Sequence, residues 1–113
     1  MKLKLEQFEL PGSILKVKLT GPIDIWGANE IDMPFSVIGG SRKKVVVDFS
    51  GVSFLASIGI RVLVMTARAI SSKGGRLVIY SPTDEARRVL GATGIDKIIP
   101  VAADETTAVA MFV

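Results

Sequence analysis

The chain has 113 residues, of which 49% are hydrophobic, and its 14 basic and 11 acidic residues give a formal net charge of +3. This length is sufficient for one domain with a single hydrophobic core. Histidine and cysteine are both missing, which excludes disulfides and thiolate chemistry and removes the commonest general base and transition-metal ligand.

The charge pattern and the apolar segments exclude two further kinds of binding. The basic residues are dispersed, and only Arg42–Lys44 forms a run, so we expect a solvated surface and no nucleic-acid partner. The most apolar helical segment, residues 58–70, is short and is interrupted by Arg61 and Arg68. No membrane insertion is expected from such a segment. The N-terminal residues lack a secretory apolar stretch, and a cytoplasmic location is therefore expected.

The first 21 residues predict a β-hairpin. Apolar and polar residues alternate over residues 3–8 and again over residues 14–21, which is the period of a half-buried strand. Between them lies Pro11–Ser13, in which Gly12 can adopt the positive φ of a tight turn. Two antiparallel strands should therefore open the fold.

The following segment combines helical spacing with an internal proline. Its apolar positions are Ala28, Ile31, Phe35 and Ile38. Pro34 would break or kink an interior turn, so the pattern predicts a short, distorted helix. Core packing is the favoured role for Phe35, and a partner anchor is the alternative.

A continuous β-branched run predicts a central strand over residues 43–50 that is covered on both faces, with Asp48 at its carboxyl end. A loop over residues 51–57 leads into a helix that ends at Gly74 and Gly75. The predicted apolar stripe of this helix comprises Ile58, Val62, Met65 and Ala69.

The C-terminal third predicts two more strands and two more helices. Arg76–Tyr80 reads as a strand, and Ser81 is the candidate N-cap of the next helix, with Pro82 at its first position. Residues 95–101 read as a short strand. Asp104 should cap a terminal helix.

These elements together predict an α/β fold with one mixed sheet. The N-terminal hairpin joins parallel βαβ strands, and about four helices cover the sheet. Binding loops in such sheets collect beyond the carboxyl ends of the strands. The loops over residues 21–28 and 51–57 are therefore expected to form one surface.

Ser57 stands where the second of these loops meets its helix. The hydroxyl could cap the helix by accepting a hydrogen bond from a first-turn amide, or it could carry a phosphate held by the same amides. A catalytic serine is disfavoured, because Leu55 replaces the first glycine of a G-x-S-x-G elbow and no histidine can act as base. We therefore expect no enzymatic activity, cofactor or metal.

Three segments resemble the STAS domain, the sulfate-transporter and anti-sigma-factor-antagonist module. VVVDFSGVSFLASIGI, residues 45–60, is similar to the family's strand that ends in Asp-apolar-Ser and continues through Val and Phe to Ser-x-Gly. TGPIDIWGA, residues 20–28, resembles the Gly-x-apolar-Asp loop, and RRVLGATGIDKIIPV, residues 87–101, resembles the family's Thr-Gly and Asp-Lys stretch. The resemblance implies a single STAS domain over residues 1–113.

For stand-alone bacterial members, this resemblance implies a protein-binding switch, an anti-sigma factor antagonist. The unphosphorylated form would sequester an anti-sigma factor that is also a serine kinase of the histidine-kinase-like ATPase type. Phosphorylation would break the complex, and a serine phosphatase would restore it. The phosphorylated serine falls on Ser57. The residues predicted to face the partner are Asp24, Trp26, Ala56, Ile58, Gly59 and Arg61.

An alternative reading is a constitutive STAS subunit of a larger signalling or lipid-transport complex, in which Ser57 is only a helix cap. The family often has Asp before the phosphorylated serine and a small residue after it, whereas this chain has Ala56 and Ile58. Arg61 lies four residues after Ser57, where it could pair with a phosphate or simply be solvated. Trp26 and Met33 are candidate partner anchors.

Overall fold

The computed structural model describes residues 2–112, whose strands form one five-stranded mixed sheet. In chain order the elements are β1 (Lys4–Leu10), β2 (Ile14–Ile23), α1 (Ile25–Ser41), β3 (Lys44–Leu55), α2 (Ser57–Ser72), β4 (Arg76–Tyr80), α3 (Asp84–Ala92), a 3₁₀ turn (Ile95–Lys97), β5 (Val101–Ala102) and α4 (Glu105–Ala110). The strands follow one another across the sheet in sequence order, with β1 antiparallel to β2 and all other pairs parallel. The predicted mixed α/β fold is confirmed.

The N-terminal hairpin is also confirmed. Leu10 pairs with Ile14 across the turn. Gly12 adopts the predicted positive φ of 86°, and Ser13 follows it into the left-handed region with a φ of 61°.

Helices α1, α2 and α3 cover one face of the sheet and enclose the main core. Alternate residues of the central strands are fully buried there, including Val17, Leu19, Val45, Val47 and Ile79. Phe35 is 1% exposed in the same core. The core role is therefore confirmed for Phe35, and the alternative role as a partner anchor is wrong.

Helix α4 covers part of the opposite face of the sheet. It packs there on a small apolar cluster and is held by polar contacts beside it. Tyr80 Oη donates a hydrogen bond of 2.7 Å to Glu105 Oε1, and Lys16 Nζ lies 2.7 Å from the same oxygen. Burial, followed by the hydrogen bond to Glu105, raises the pKa of Tyr80. The bonds from Lys16 and Tyr80 lower the pKa of Glu105. These groups fasten the start of α4 to the sheet.

Helix α1 is longer than the sequence predicts. It continues through Pro34 to Ser41 over 17 residues, so the expectation of a short helix is wrong. Proline removes the hydrogen bond to the carbonyl four residues earlier, which here belongs to Glu30. Because Glu30 is exposed, water can satisfy that carbonyl and the helix tolerates the loss.

Helix α2 buries a different apolar row from the predicted one. Its buried residues are Gly59, Ile60, Leu63, Thr66, Ala67 and Ile70. Of the predicted stripe, Ile58 is 41% exposed and Met65 is 61% exposed, while Val62 and Ala69 are half-buried. Both rows are apolar at helical spacing, so the pattern alone could not decide which one faces the sheet.

Strand β3 continues well past the predicted end at residue 50. Asp48 is buried in mid-strand, and its carboxylate accepts a 2.9 Å hydrogen bond from the Ser50 amide. Residues 51–55 pair with the end of β2 across two register shifts. Gly51 favours this pairing, because a Cβ there would make a tight contact of 3.1 Å with the carbonyl oxygen of Leu19. The predicted loop is therefore mostly strand.

Two predictions in the C-terminal third are corrected, and one is confirmed. Thr83, not Ser81, caps α3, with its Oγ1 accepting from the Ala86 amide at 3.2 Å. Ser81 instead has a φ of 51° and donates its hydroxyl to the Ala103 carbonyl. Residues 95–101 contain a 3₁₀ turn, and only the two-residue β5 pairs with β4. Asp104 caps α4 as predicted.

Candidate functional site

The starts of α1 and α2 lie side by side at the carboxyl edge of the sheet. Ile23 and Leu55, the last residues of β2 and β3, are paired, and the Ala56 amide donates a 2.9 Å hydrogen bond to the Ile23 carbonyl. Asp24 and Ala56 are the residues at the N-cap positions of the two helices. The structure thus brings together the two segments predicted as loops, although residues 21–23 belong to β2 and residues 25–28 to α1.

The start of α1 is capped by a carboxylate. Asp24 Oδ1 accepts a 2.8 Å hydrogen bond from the Gly27 amide, and the Asp24 carbonyl accepts one of 2.8 Å from Ala28. The negative charge of Asp24 therefore complements the positive end of the helix dipole.

The start of α2 has no such group. Ala56 has the extended backbone of a cap residue, and its carbonyl accepts from the amides of Gly59 and Ile60, but no side chain caps this helix. Ser57 is already the first helical residue, and it is exposed. The alternative in which Ser57 is the N-cap is wrong, because the cap position belongs to Ala56.

Glycine is the third helical residue in both helices, where each start packs on the end of β2. A Cβ at Gly27 would lie 2.3 Å from the Pro22 carbonyl oxygen, and one at Gly59 would lie 2.3 Å from Ile23 Cγ2. Both separations are too short for a real contact. Because Gly59 is buried, it positions Ser57 rather than offering a surface of its own.

Large apolar side chains are exposed around these two helix starts. Trp26 is 75% exposed and lies in a cleft with Asp24, Gly27 and Glu30, while Ile25 is 54% exposed. Ile58 is exposed directly after Ser57. Exposed apolar groups clustered in this way mark interaction surfaces more often than scattered ones do.

Arg61 supplies positive charge one turn after Ser57. It is exposed and lines a groove with Ile58 and Asp32. No ion pair involves Arg61 within residues 2–112. The guanidinium is therefore available to an anion on the same helix face.

Two residues at this edge had no predicted role. Ile25 follows the cap of α1, and a large apolar residue at an exposed first helical position is the signal that could have identified it. Phe54 is 46% exposed and pairs with Pro22 at the end of the strands. It was not identified because the sequence predicts a loop there.

Within residues 2–112, no three His, Cys, Asp or Glu side chains come together as a potential metal site. None of the helices in that part of the chain is both long and apolar enough to cross a bilayer.

Comparison with known proteins identifies the domain family of this chain. Residues 7–108 match the family model of the STAS domain. An anti-sigma F factor antagonist of Paenibacillus polymyxa is 26% identical over 110 residues, which cover 96% of this chain and 93% of the relative.

The fold is similar to those of solved anti-sigma factor antagonists. An anti-sigma factor antagonist from Mycobacterium paratuberculosis superposes with a TM-score of 0.86 at 24% identity, covering 96% of this chain and 92% of the other. SpoIIAA has been solved unphosphorylated, with a TM-score of 0.81 and coverage of 96% of both chains, and phosphorylated from Bacillus, with a TM-score of 0.74 and coverage of 97% and 100%. Both forms are 19% identical to this chain. The chain belongs to the STAS domain family.

Proposed function

We propose that this protein is an anti-sigma factor antagonist whose docking is switched by phosphorylation of Ser57. The observation that carries the proposal is the exposed hydroxyl at the start of α2, the one α-helix start in residues 2–112 without a side-chain cap. Support also comes from the names of relatives, which include an anti-sigma F factor antagonist and a fold relative solved in phosphorylated and unphosphorylated forms.

The unphosphorylated protein would dock through the edge of the sheet at which α1 and α2 begin. Trp26 and Ile25 on α1 and Ile58 on α2 offer exposed apolar area at the two helix starts. Arg61 adds a positive charge. A complementary partner surface would be apolar at its centre and acidic beside it.

Phosphorylation would use the partner's own kinase activity. The Ser57 oxygen attacks the γ-phosphorus of ATP, the bond from that phosphorus to the bridging oxygen breaks, and ADP leaves as the hydroxyl proton is released. A phosphatase restores the serine by adding water to the phosphoester, releasing inorganic phosphate. The antagonist itself supplies only the hydroxyl and its surroundings.

The phosphate would change the docking surface without unfolding the protein. It adds about −1.5 to −2 charges to a helix that carries two arginines, Arg61 and Arg68, and no acidic residue. The first-turn amides and Arg61 can hold the phosphate in place. A partner that accepts an apolar surface with a basic side would then meet a bulky dianion, and the complex should dissociate.

The experiment is to capture partners from a lysate of the source cell on the immobilised protein and to incubate the captured complex with MgATP. We expect a histidine-kinase-like ATPase among the captured proteins and, by mass spectrometry, one phosphate on Ser57. Ser57→Ala should abolish the modification. Ser53→Ala is the matched control, because Ser53 is also exposed and lies four residues away.

A different result would support the constitutive-subunit reading. In that case the captured partner would hold the chain in the presence of MgATP and leave Ser57 unmodified. Phosphate on another residue would likewise contradict the proposed switch.

A further inference from the structure

Helices α1 and α2 form one exposed layer, in which one helix carries only acidic charged residues and the other only basic ones. The charged residues of α1 are Glu30 and Asp32, both acidic, and those of α2 are Arg61 and Arg68, both basic. All four are exposed. Apart from Glu30, which lies 3.7 Å from Lys2, none of them has an ion-pair partner within residues 2–112.

The same layer carries exposed apolar side chains on both helices. Met33 and Val37 on α1 are 73% and 62% exposed, and Met65 on α2 is 61% exposed. Met65 also borders the groove between the helices, together with Asp32 and Val62. Apolar area of this kind, flanked by unpaired charges of both signs, is typical of an interaction surface.

We propose that this layer is a homodimer interface, in which α1 of one copy packs on α2 of a second copy. Both helices connect parallel strands, so they run in nearly the same direction. A twofold axis lying in the interface along the helices places α1 over the partner copy's α2 and α2 over its α1. The dimer then contains two equivalent contacts between acidic α1 and basic α2, and Met65 of each copy faces the groove of the other.

The charge pattern disfavours the alternative dimer, in which each helix packs on its own counterpart in the second copy. A twofold axis perpendicular to the helices would place α1 on α1 and α2 on α2, so that Asp32 faces acidic residues and Arg68 faces basic ones. Juxtaposed like charges disfavour such a pairing. The occupant inferred from the charges is therefore a second copy in the first orientation.

This inference does not rest on the proposed switch, because it concerns the purified chain alone. The interface includes Met65 and Arg68, which lie two and three turns along α2 from Ser57. The layer shares Ile58 and Arg61 with the proposed docking surface, but self-association is measured on the purified chain and phosphorylation on the captured complex, so that failure of one is distinguishable from failure of the other.

The test is sedimentation equilibrium of the purified protein at about 50 mM and about 500 mM salt, since such charges are screened beyond roughly 10 Å at 0.1 M. We expect a dimer at micromolar concentrations that weakens at the higher salt. Arg68→Glu and Asp32→Lys should each weaken dimerisation at least tenfold, because each change occurs twice per dimer. The double variant should recover most of the loss, since the opposite charges then face each other again.

Met65→Asp tests the apolar part, and we expect it to abolish the dimer. Lys97→Glu is the control, because Lys97 is exposed outside the layer, has no ion pair within residues 2–112 and undergoes the same change of charge as Arg68→Glu. Circular dichroism confirms that each variant is folded. A wild-type protein that remains monomeric, or a dimer insensitive to Arg68→Glu and Met65→Asp, would overturn the proposal.

Discussion

The starts of α1 and α2 repeat one backbone arrangement with different chemistry. Each helix begins directly after a paired strand end, and each has glycine at its third position, pressed against the end of β2. Asp24 supplies a permanent negative charge to α1, whereas Ala56 leaves α2 without one. In the proposed switch, a phosphate on Ser57 would supply to α2 the negative charge that Asp24 supplies permanently to α1.

The largest effects should come from filling the two glycine positions. Gly27→Ala directs a Cβ at a backbone carbonyl oxygen and should lower the free energy of unfolding by about 3 kcal/mol. Gly59→Ala meets the Cγ2 atom of Ile23, a fully buried β-branched side chain, so a loss of about 2–3 kcal/mol is expected. Denaturant unfolding measures both.

Gly40→Ala is the matched control for these two substitutions. Nothing lies within 4 Å of a Cβ at that position of α1, so the change should stabilise the protein slightly through helix propensity. Equal costs at all three glycines would show that close packing of the helix starts is not the cause.

The second prediction exchanges the caps. Asp24→Ala should cost about 1 kcal/mol, because the Gly27 amide loses its acceptor. Ala56→Asp should instead gain about 0.5–1 kcal/mol, since the backbone at Ala56 already has cap geometry. If Ala56→Asp destabilises the fold in thermal or denaturant unfolding, the two starts are not equivalent.

The third prediction separates a capping serine from a modifiable one. Ser57→Ala should change the free energy of unfolding by less than about 0.5 kcal/mol, because Ser57 is not the cap. Ser57→Asp should stabilise α2 by about 0.5 kcal/mol through the helix dipole. A loss near 1 kcal/mol for Ser57→Ala would restore the capping role that the structure contradicts.

The smallest effect concerns pH at a third helix start, that of α4. Hydrogen bonds with Thr107 hold the pKa of the Asp104 carboxyl below its usual value. Its contribution to stability is therefore present above the unfolded pKa, about 3.9, and is lost as the pH falls through the folded value. The Thr107 amide shift in NMR spectra should follow this titration. The Gly59 amide, which donates to a backbone carbonyl, should not.

Much of the fold could be predicted from the sequence because its signals are local. The hairpin follows from strict alternation and Gly12, the central strand from its run of valines, and the last helix from Asp104. The extension of β3 to Leu55 could not be predicted in this way. It depends on pairing with β2 across two register shifts. This pairing is a long-range property, and a single glycine at position 51 does not predict it.

The site was predicted in part, and for a similar reason. The position of Ser57 at a helix start follows from the motif, but whether the serine or the preceding alanine holds the cap position depends on backbone angles at Ala56. The exposed row of α2 was also not predictable, since two apolar rows compete and Gly59 packing against Ile23 selects one. Tertiary contacts decide both questions.

The proposed switch at Ser57 is tested most directly by calorimetry, which measures the affinity of the captured anti-sigma factor for wild-type protein, Ser57→Ala and Ser57→Asp. Ser57→Ala should bind within a few-fold of wild type, because it keeps the helix start uncharged. Ser57→Asp should bind at least about 100-fold more weakly, which corresponds to roughly 2.7 kcal/mol. Equal affinity of Ser57→Asp and wild type would show that negative charge at the start of α2 does not control docking.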